Sequence, residues 1–291
     1  MARSTPKISS WQIIKGFFRL IRWQNLLIVV FTQLFTRLFL ISGKGTWQTQ
    51  MTEKPLWLII ASTVLIAAAG YVINDYYDIK IDIINKPQEV IVGRYIKRRW
   101  ALGINFSFNS LGVLMGYFIS LKIFAINLLA TFCLWVYSNQ LKRLPFWGNL
   151  MVAFMTGLSL GVLAVFYKAH NREVFAYALF AFLITLIREI IKDMEDLRGD
   201  ARHGCRTLPI VWGFKKTKQF LFGLMAVFAV LLFVEIPSFN QTLLVIFSLL
   251  LIPLGYVSYL LYRADTKKKF HQLSTLCKYF MLLGILSMVL V

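Results

Sequence analysis

Apolar residues in this chain come in long unbroken runs separated by short polar or turn-forming stretches. The strict alternation of a half-buried strand is absent, so the pattern predicts helices. A run that crosses a ~30 Å hydrocarbon core needs about 20 residues. The sequence supplies such runs near 24–43, 56–73, 101–120, 122–137, 148–167, 174–191, 219–236, 242–262 and 276–291. The expected architecture is therefore all-α, a polytopic membrane bundle of about nine transmembrane helices forming one domain over 1–291, with no stretch left for a soluble domain. A basic segment precedes the first run, but no small-residue cleavage pattern follows it, so this run is expected to remain as a helix.

Composition agrees with the pattern. Hydrophobic residues make up 58% of the chain and charged residues 15%, against roughly a quarter charged in soluble domains. Cys133, Cys205 and Cys277 lie far apart without metal-ligand spacing, which predicts three inert thiols rather than a disulfide or zinc site. In a soluble protein a formal charge of +19 would suggest nucleic acid as a partner, but here the placement of the charges decides. With the N-terminus in the cytoplasm, 26 of the 32 lysines and arginines fall in cytoplasmic segments, the bias expected from positive charge retarding translocation. The expectation is a multi-pass protein (of the inner membrane, in a bacterium) whose cations mostly face anionic headgroups, with no nucleic-acid partner.

Acidic residues are distributed differently. Six of the seven aspartates form two clusters: Asp75, Asp78 and Asp82 after the second run, and Asp193, Asp196 and Asp200 after the sixth. Counting crossings puts both clusters on the cytoplasmic side, at the ends of two helices that run in the same direction. Asn74, Asp78 and Asp82 recur every four residues, and so do Asp196 and Asp200, with Asp193 one turn earlier. On a helix this spacing stacks oxygen-bearing side chains on one face. Like charges so placed repel, and near a membrane they need a compensating partner. Mg²⁺ fits, because it takes oxygen ligands from one or two carboxylates together with substrate phosphate oxygens. Two facing clusters thus point to a diphosphate bridged by metal. Between the fourth and fifth runs, Tyr137 offers a hydrogen-bond donor and Lys142 a point charge for phosphate, unless both simply anchor the helix at the interface. A faint repeat follows the two clusters: Pro87, Gly93 and Lys97-Arg98-Arg99 after the first, and Pro209, Gly213 and Lys215, Lys216 and Lys218 after the second.

At these residues the chain resembles the UbiA superfamily of intramembrane prenyltransferases. Its two aspartate motifs look like Asn74/Asp78/Asp82 and Asp196/Asp200, its tyrosine-to-lysine motif is similar to Tyr137/Lys142, and Gly204-x-x-Thr207-Leu208-Pro209 is also like the family. The resemblance implies a central apolar cavity for a prenyl tail and transfer of the prenyl group from its diphosphate to a lipophilic acceptor. It implies two Mg²⁺ ions held among Asn74, Asp78, Asp82, Asp193, Asp196 and Asp200. Asp78, Asp82, Asp196, Asp200, Lys142 and Tyr137 would carry the chemistry, and Asn74, Asp75, Lys192 and Asn25 would contact the substrates. Asn85-Lys86-Pro87 and the stretch from Lys192 to Pro209 look most like the geranylgeranylglycerol-phosphate geranylgeranyltransferase branch, which makes ether-lipid precursors. That branch usually continues with x-Arg-Pro, where this chain has Gln88-Glu89-Val90. Arg94 and Lys97 are the cations expected to stand in for the missing arginine.

Smaller signals leave alternatives open. Arg22 lies just before Asn25, and Arg188 sits one turn before Lys192, where it can pair with aspartate or with phosphate. Other readings are an aromatic acceptor, a terpene cyclase using the same metal site, and a cation transporter. Transport predicts acidic groups near the bilayer midplane, and these stand at helix ends.

Overall fold

The computed structural model describes residues 9–41, 46–170, 172–235 and 241–291, and the described residues form helices joined by short turns, with no strand among them. α1 (Ser10–Leu20) leads into α2 (Trp23–Phe35), which runs on as a π-helical turn over Thr36–Leu40, and α3 (Trp47–Met51) is short. Then follow α4 (Lys54–Asn85), α5 (Arg98–Ile119), α6 (Leu121–Asn139), α7 (Trp147–Tyr167), α8 (Arg172–Arg202), α9 (Leu208–Glu235), α10 (Gln241–Tyr262) and α11 (Lys267–Ser287). Among the described residues, eight helical segments are long and apolar enough to cross a bilayer, and α10 contributes a shorter apolar stretch over Ser248–Tyr262. The protein is an integral membrane helical bundle. Positions 42–43 of the first expected run and 236 of the seventh lie outside the described residues.

Two helices outrun the expected spans. α4 has 32 residues and α8 has 31, so at 1.5 Å per residue each is about 47 Å long, well beyond a ~30 Å hydrocarbon core. Asn74 and Asp193 each come about 30 Å along their helices. The aspartates therefore begin where the hydrocarbon ends, on rigid continuations of the membrane helices rather than on loops. At the other end of α4, Pro55 occupies the first turn, where its missing N–H costs nothing.

Close helix approach is set by small residues, as lipid offers no hydrophobic drive between helices. Gly112 and Gly116 on α5 make such a seam: a Cβ at Gly112 would lie 2.7 Å from Ile66 of α4, and one at Gly116 would lie 2.7 Å from Asn127 of α6. Asn127 Nδ2 donates to the Gly112 carbonyl at 2.9 Å, fixing the corner where α5 meets α6. α8 is the most enclosed helix, with Leu183, Ile184, Leu186, Ile187, Ile190 and Ile191 buried in the main apolar core against α7, α9 and α11. Exposed side chains such as Phe106, Phe118, Phe132 and Ile252 face outward, as a lipid solvent allows.

The end of the bundle opposite the aspartates is pinned by a buried guanidinium. Arg37 donates from Nε to Glu53 at 3.1 Å and from Nη1 to the Ile41 carbonyl at 2.9 Å, and it lies 4.5 Å over the Tyr167 ring. Burial works against the Glu53 charge, but the bonds from Arg37 and Tyr167 outweigh it and hold its pKa below the ordinary 4.5. A lowered carboxylate pKa contributes stability that is present above the unfolded value and lost as pH falls through the folded one. Glu53→Ala is expected to cost about 2 kcal/mol, less than for a fully buried pair because the Glu53 carboxylate is partly wet. It should also flatten the acid side of a thermal-unfolding curve recorded against pH in detergent. An unchanged acid limb would remove Glu53 from this role.

Candidate active site

The cytoplasm-expected ends of α4 and α8 are clasped by one side chain. Asn85, the last residue of α4, donates from Nδ2 to the Asp196 carbonyl at 3.0 Å and accepts from the Gly199 N–H at 2.8 Å. Only glycine fits opposite it, since a Cβ at position 199 would lie 2.4 Å from Asn85 Cγ. Helix ends held this closely put the two aspartate rows on one space. A cavity of about 700 Å³ opens beneath them, and Asn25, Asn74, Asp75, Asp78, Asp82, Tyr137, Lys142, Lys192, Asp193, Asp196 and Asp200 all line it. Farther in, its walls are apolar, with Ile28, Val29, Ile66, Ala67, Leu134, Val152, Met155 and Val162 contributed by α2, α4, α6 and α7.

The carboxylates do not stand free. Lys142, on a short turn after α6, binds Asp78 Oδ2 through its ammonium, which also lies 3.3 Å from Asn74 Oδ1. Gly148 allows this, since a Cβ there would lie 2.9 Å from Lys142 Cα. Burial opposes the Lys142 charge, yet Asp78 and its neighbours outweigh burial and hold the pKa above that of an ordinary lysine. Lys142 is therefore a fixed cation at working pH. Lys86 lies 3.5 Å from Asp196 Oδ2, and Asn149 Nδ2 on α7 donates to Asp193 at 2.8 Å. Arg22 bridges from the break between α1 and α2 to Asp75 at 3.0 Å and lies 4.8 Å over the Tyr71 ring. Arg22 adopts the left-handed backbone conformation (φ 51°) there, a strain that non-glycine residues accept mostly at constrained sites.

One expectation needs correction. Arg94 and Lys97 are not brought to the cavity; both are exposed, and Arg94 lies against the Tyr95 ring. Ile91, Val92 and Ile96 are buried against Leu20 and Val72, and Gly93 turns the chain at φ 88°, so the loop is anchored by its apolar residues and its cations face out. The cation near the second aspartate row is Lys86 instead, and Glu89 lines the cavity close by. The six expected metal-binding residues all line the cavity, and among the described residues no three Asp, Glu, His or Cys groups stand together as a preformed chelating cluster. Asp78 is paired with Lys142, Asp196 with Lys86, and Asp193 accepts from Asn149.

That arrangement still suits a hard cation. Asp196 Oδ1 is buried and without a hydrogen-bond partner, and so is Thr207 Oγ1 across the same cavity. An orphaned carboxylate oxygen in such a place costs free energy until something cationic or a donor reaches it. Mg²⁺ asks for one or two such oxygens and takes the rest from water and phosphate, so a three-carboxylate cage is not required.

Several lining groups carry little sequence signal. Glu189 could have been found, because Glu189, Asp193, Asp196 and Asp200 continue one helical face at spacings of four, three and four. Glu195 could not: its carboxylate lies 3.0 Å from His271 Nδ1 and 3.4 Å from Ser274 Oγ, both on a helix more than 70 residues away. Lys278 is equally silent in sequence, and Asn85 entered only through the likeness of Asn85-Lys86-Pro87 to one branch of the family. Burial, reinforced by the nearby charge of Asp200, pushes the Cys205 thiol up to about 11, so it stays protonated and inert, as expected.

Comparisons with known proteins agree with this geometry. A family model described as the UbiA prenyltransferase family matches residues 29–284. A digeranylgeranylglyceryl phosphate synthase from Methanosphaera stadtmanae is 35% identical over 221 residues, covering 75% of this chain and 81% of that one. One from Saccharolobus solfataricus is 32% identical over 252 residues, covering 84% and 86%. Among solved structures, a digeranylgeranylglyceryl phosphate synthase superposes with a TM-score of 0.68 at 26% identity, over 96% of this chain and 98% of that chain. A UbiA homologue from Archaeoglobus fulgidus bound to GPP and Mg²⁺ gives 0.67 at 18% identity, over 95% and 100%, which speaks to the fold.

Proposed function

We propose, from the premise that this chain belongs to the UbiA prenyltransferase family, that it transfers a geranylgeranyl group from its diphosphate to the free hydroxyl of geranylgeranylglyceryl phosphate. One observation carries the reading: two carboxylate-bearing helix ends, clasped through Asn85, open onto a single cavity that is polar at the mouth and apolar within. Relatives of at least 30% identity that are digeranylgeranylglyceryl phosphate synthases, those from Methanosphaera stadtmanae and Saccharolobus solfataricus among them, support the choice of acceptor.

In this mechanism the bond between the prenyl C1 and the diphosphate oxygen breaks, with its electron pair leaving on the diphosphate. The acceptor oxygen then bonds to C1 and gives up its proton to the released diphosphate. Lys142 holds a permanent positive charge beside the leaving oxygens, fixed in place by Asp78 and Asn74. A preorganised charge of this kind favours the transition state, where the negative charge grows. Tyr137 lines the same wall as a hydroxyl donor. The inner apolar wall takes the prenyl tail and excludes water that would quench an allylic cation. Asp78, Asp82, Asp196 and Asp200 would hold two Mg²⁺ ions, with Asn74 and Asp193 beside them, and when bound these ions neutralise the diphosphate charge. Given 26 of 32 cations on one side, the site faces the cytoplasm.

The test supplies purified protein with geranylgeranyl diphosphate and, separately, glycerol-phosphate, phenolic or no acceptor, with products identified by mass. The ether-linked phosphate product is expected. A cyclic hydrocarbon formed without acceptor, or product only with a phenol, would replace this reading by a cyclase or an aromatic prenyltransferase. Chelation of divalent metal should suppress turnover by at least about a hundredfold, because the leaving group loses its main stabilisation, and added Mg²⁺ should restore it. Activity that persists in excess chelator would rule the metal out.

A further inference from the structure

α8 carries two neighbouring rows of polar side chains. The aspartate row faces α7 and the end of α4, as the partners of Asp193 and Asp196 show. One step around the helix, Arg188, Lys192 and Glu195 follow at spacings of four and three and face α11. Glu195 meets His271 and Ser274 there, and Lys278 stands one turn beyond Ser274 on the same helix. All of these groups line the same cavity.

The two rows differ in charge balance. Around the aspartates each cation has its own carboxylate: Lys142 with Asp78, Lys86 with Asp196, Arg22 with Asp75. Between α8 and α11, Glu189 is bonded by Arg188 and Glu195 is held by His271 and Ser274, while Lys192 and Lys278 make no hydrogen bond or ion pair among the described residues. Arg188 Nε is buried without a hydrogen-bond partner. Unmatched cations at the edge of a membrane repel one another and are costly to keep, and an anion from outside would resolve both the repulsion and the orphaned N–H.

We propose that the gap between α8 and α11 is a second anion subsite, in which Arg188, Lys192 and Lys278 grip the phosphate monoester of the acceptor. The inference rests on the glycerol-phosphate reading above. A phosphomonoester carries close to two negative charges and three acceptor oxygens, which suits two ammonium groups and a guanidinium N–H without any metal. The donor diphosphate cannot compete there on equal terms, because it is drawn to the carboxylate row with its cations. Sorting two phosphates by these opposite environments leaves the acceptor hydroxyl facing the prenyl C1 between them.

The experiment compares native protein with Lys278→Met and Lys278→Arg, using geranylgeranylglyceryl phosphate and the same alcohol without its phosphate. Lys278→Met is expected to raise the KM of the phosphorylated acceptor about tenfold or more, the worth of one charge-assisted hydrogen bond. The donor KM should stay within about twofold, the dephosphorylated alcohol should be handled alike by both proteins, and Lys278→Arg should restore most of the preference. Should Lys278→Met fail to fold, Lys278→Gln, which removes the charge and keeps a polar end, carries the same comparison. An unchanged acceptor KM, or an equal loss with both alcohols, overturns the subsite while leaving the function standing. If native protein itself ignores the glycerol-phosphate acceptor, the acceptor reading falls instead.

Discussion

Asp196→Ala is expected to lower diphosphate release by about a thousandfold or more while the protein remains folded. The magnitude follows from removing a preorganised oxygen beside a leaving group whose charge develops in the transition state, where single groups are worth roughly a hundred- to a thousandfold. Asp196 also holds Lys86 toward the cavity, so the substitution loosens a second charge. Folding should be spared for a specific reason: the contact that joins α4 to α8 uses the backbone carbonyl of Asp196, which alanine keeps. The side chain itself makes only one long ion pair, worth at most about 1 kcal/mol. Release of diphosphate from labelled donor, measured beside thermal unfolding in detergent, checks both halves. Near-native turnover, or collapse of the fold, would contradict the role given to this carboxylate.

Gly199→Ala should produce the converse pattern, a large loss of stability with activity failing as a consequence. A methyl group there would sit 2.4 Å from Asn85 Cγ, and the Asn85 side chain is buried and bonded on both sides, so it has no free rotamer to move into. Overpacking of this kind costs about 1–3 kcal/mol, and breaking both Asn85 hydrogen bonds adds about 1 kcal/mol each. A total of about 3 kcal/mol is expected, seen as a lowered unfolding midpoint and as separation of the two aspartate rows. The clash is specific, so it can be removed from the other side. In an Asn85→Ala background, which is itself destabilised, Gly199→Ala should cost about 1 kcal/mol or less, a coupling of the size contacting residues show. Equal costs in both backgrounds would mean that the clasp does not hold the helix ends together.

These two residues also mark how far sequence reading reaches. Asp196 was legible: four-residue spacing, shared sidedness and scarcity of aspartate elsewhere placed it in a polar cluster at a helix end. Asn85 and Gly199 were not. Asn85 entered only within Asn85-Lys86-Pro87, as a likeness to one branch of the family, and Gly199 carried no signal, yet α8 runs straight through position 199 to Arg202. Tertiary contact overrides glycine's low helix propensity there, because the missing side chain is what lets the other helix in. Arg94 and Lys97 fail for a related reason, since proximity in sequence to the first aspartate row says nothing about which way an anchored loop turns.

Period and composition settled what depends on distance along one helix: the apolar helical runs and the spacing within each aspartate row. A helix rises by a fixed 1.5 Å and turns by a fixed angle per residue, so spacing alone fixes such relations. Which faces meet across helices was decided only by packing. The pairing of Lys86 with Asp196, the meeting of Glu195 with His271, and the unmatched cations between α8 and α11 all depend on how each helix is rotated about its own axis. That rotation is set by close approach at glycines such as Gly112, Gly148 and Gly199, by partners far away in the chain, and no local pattern encodes it.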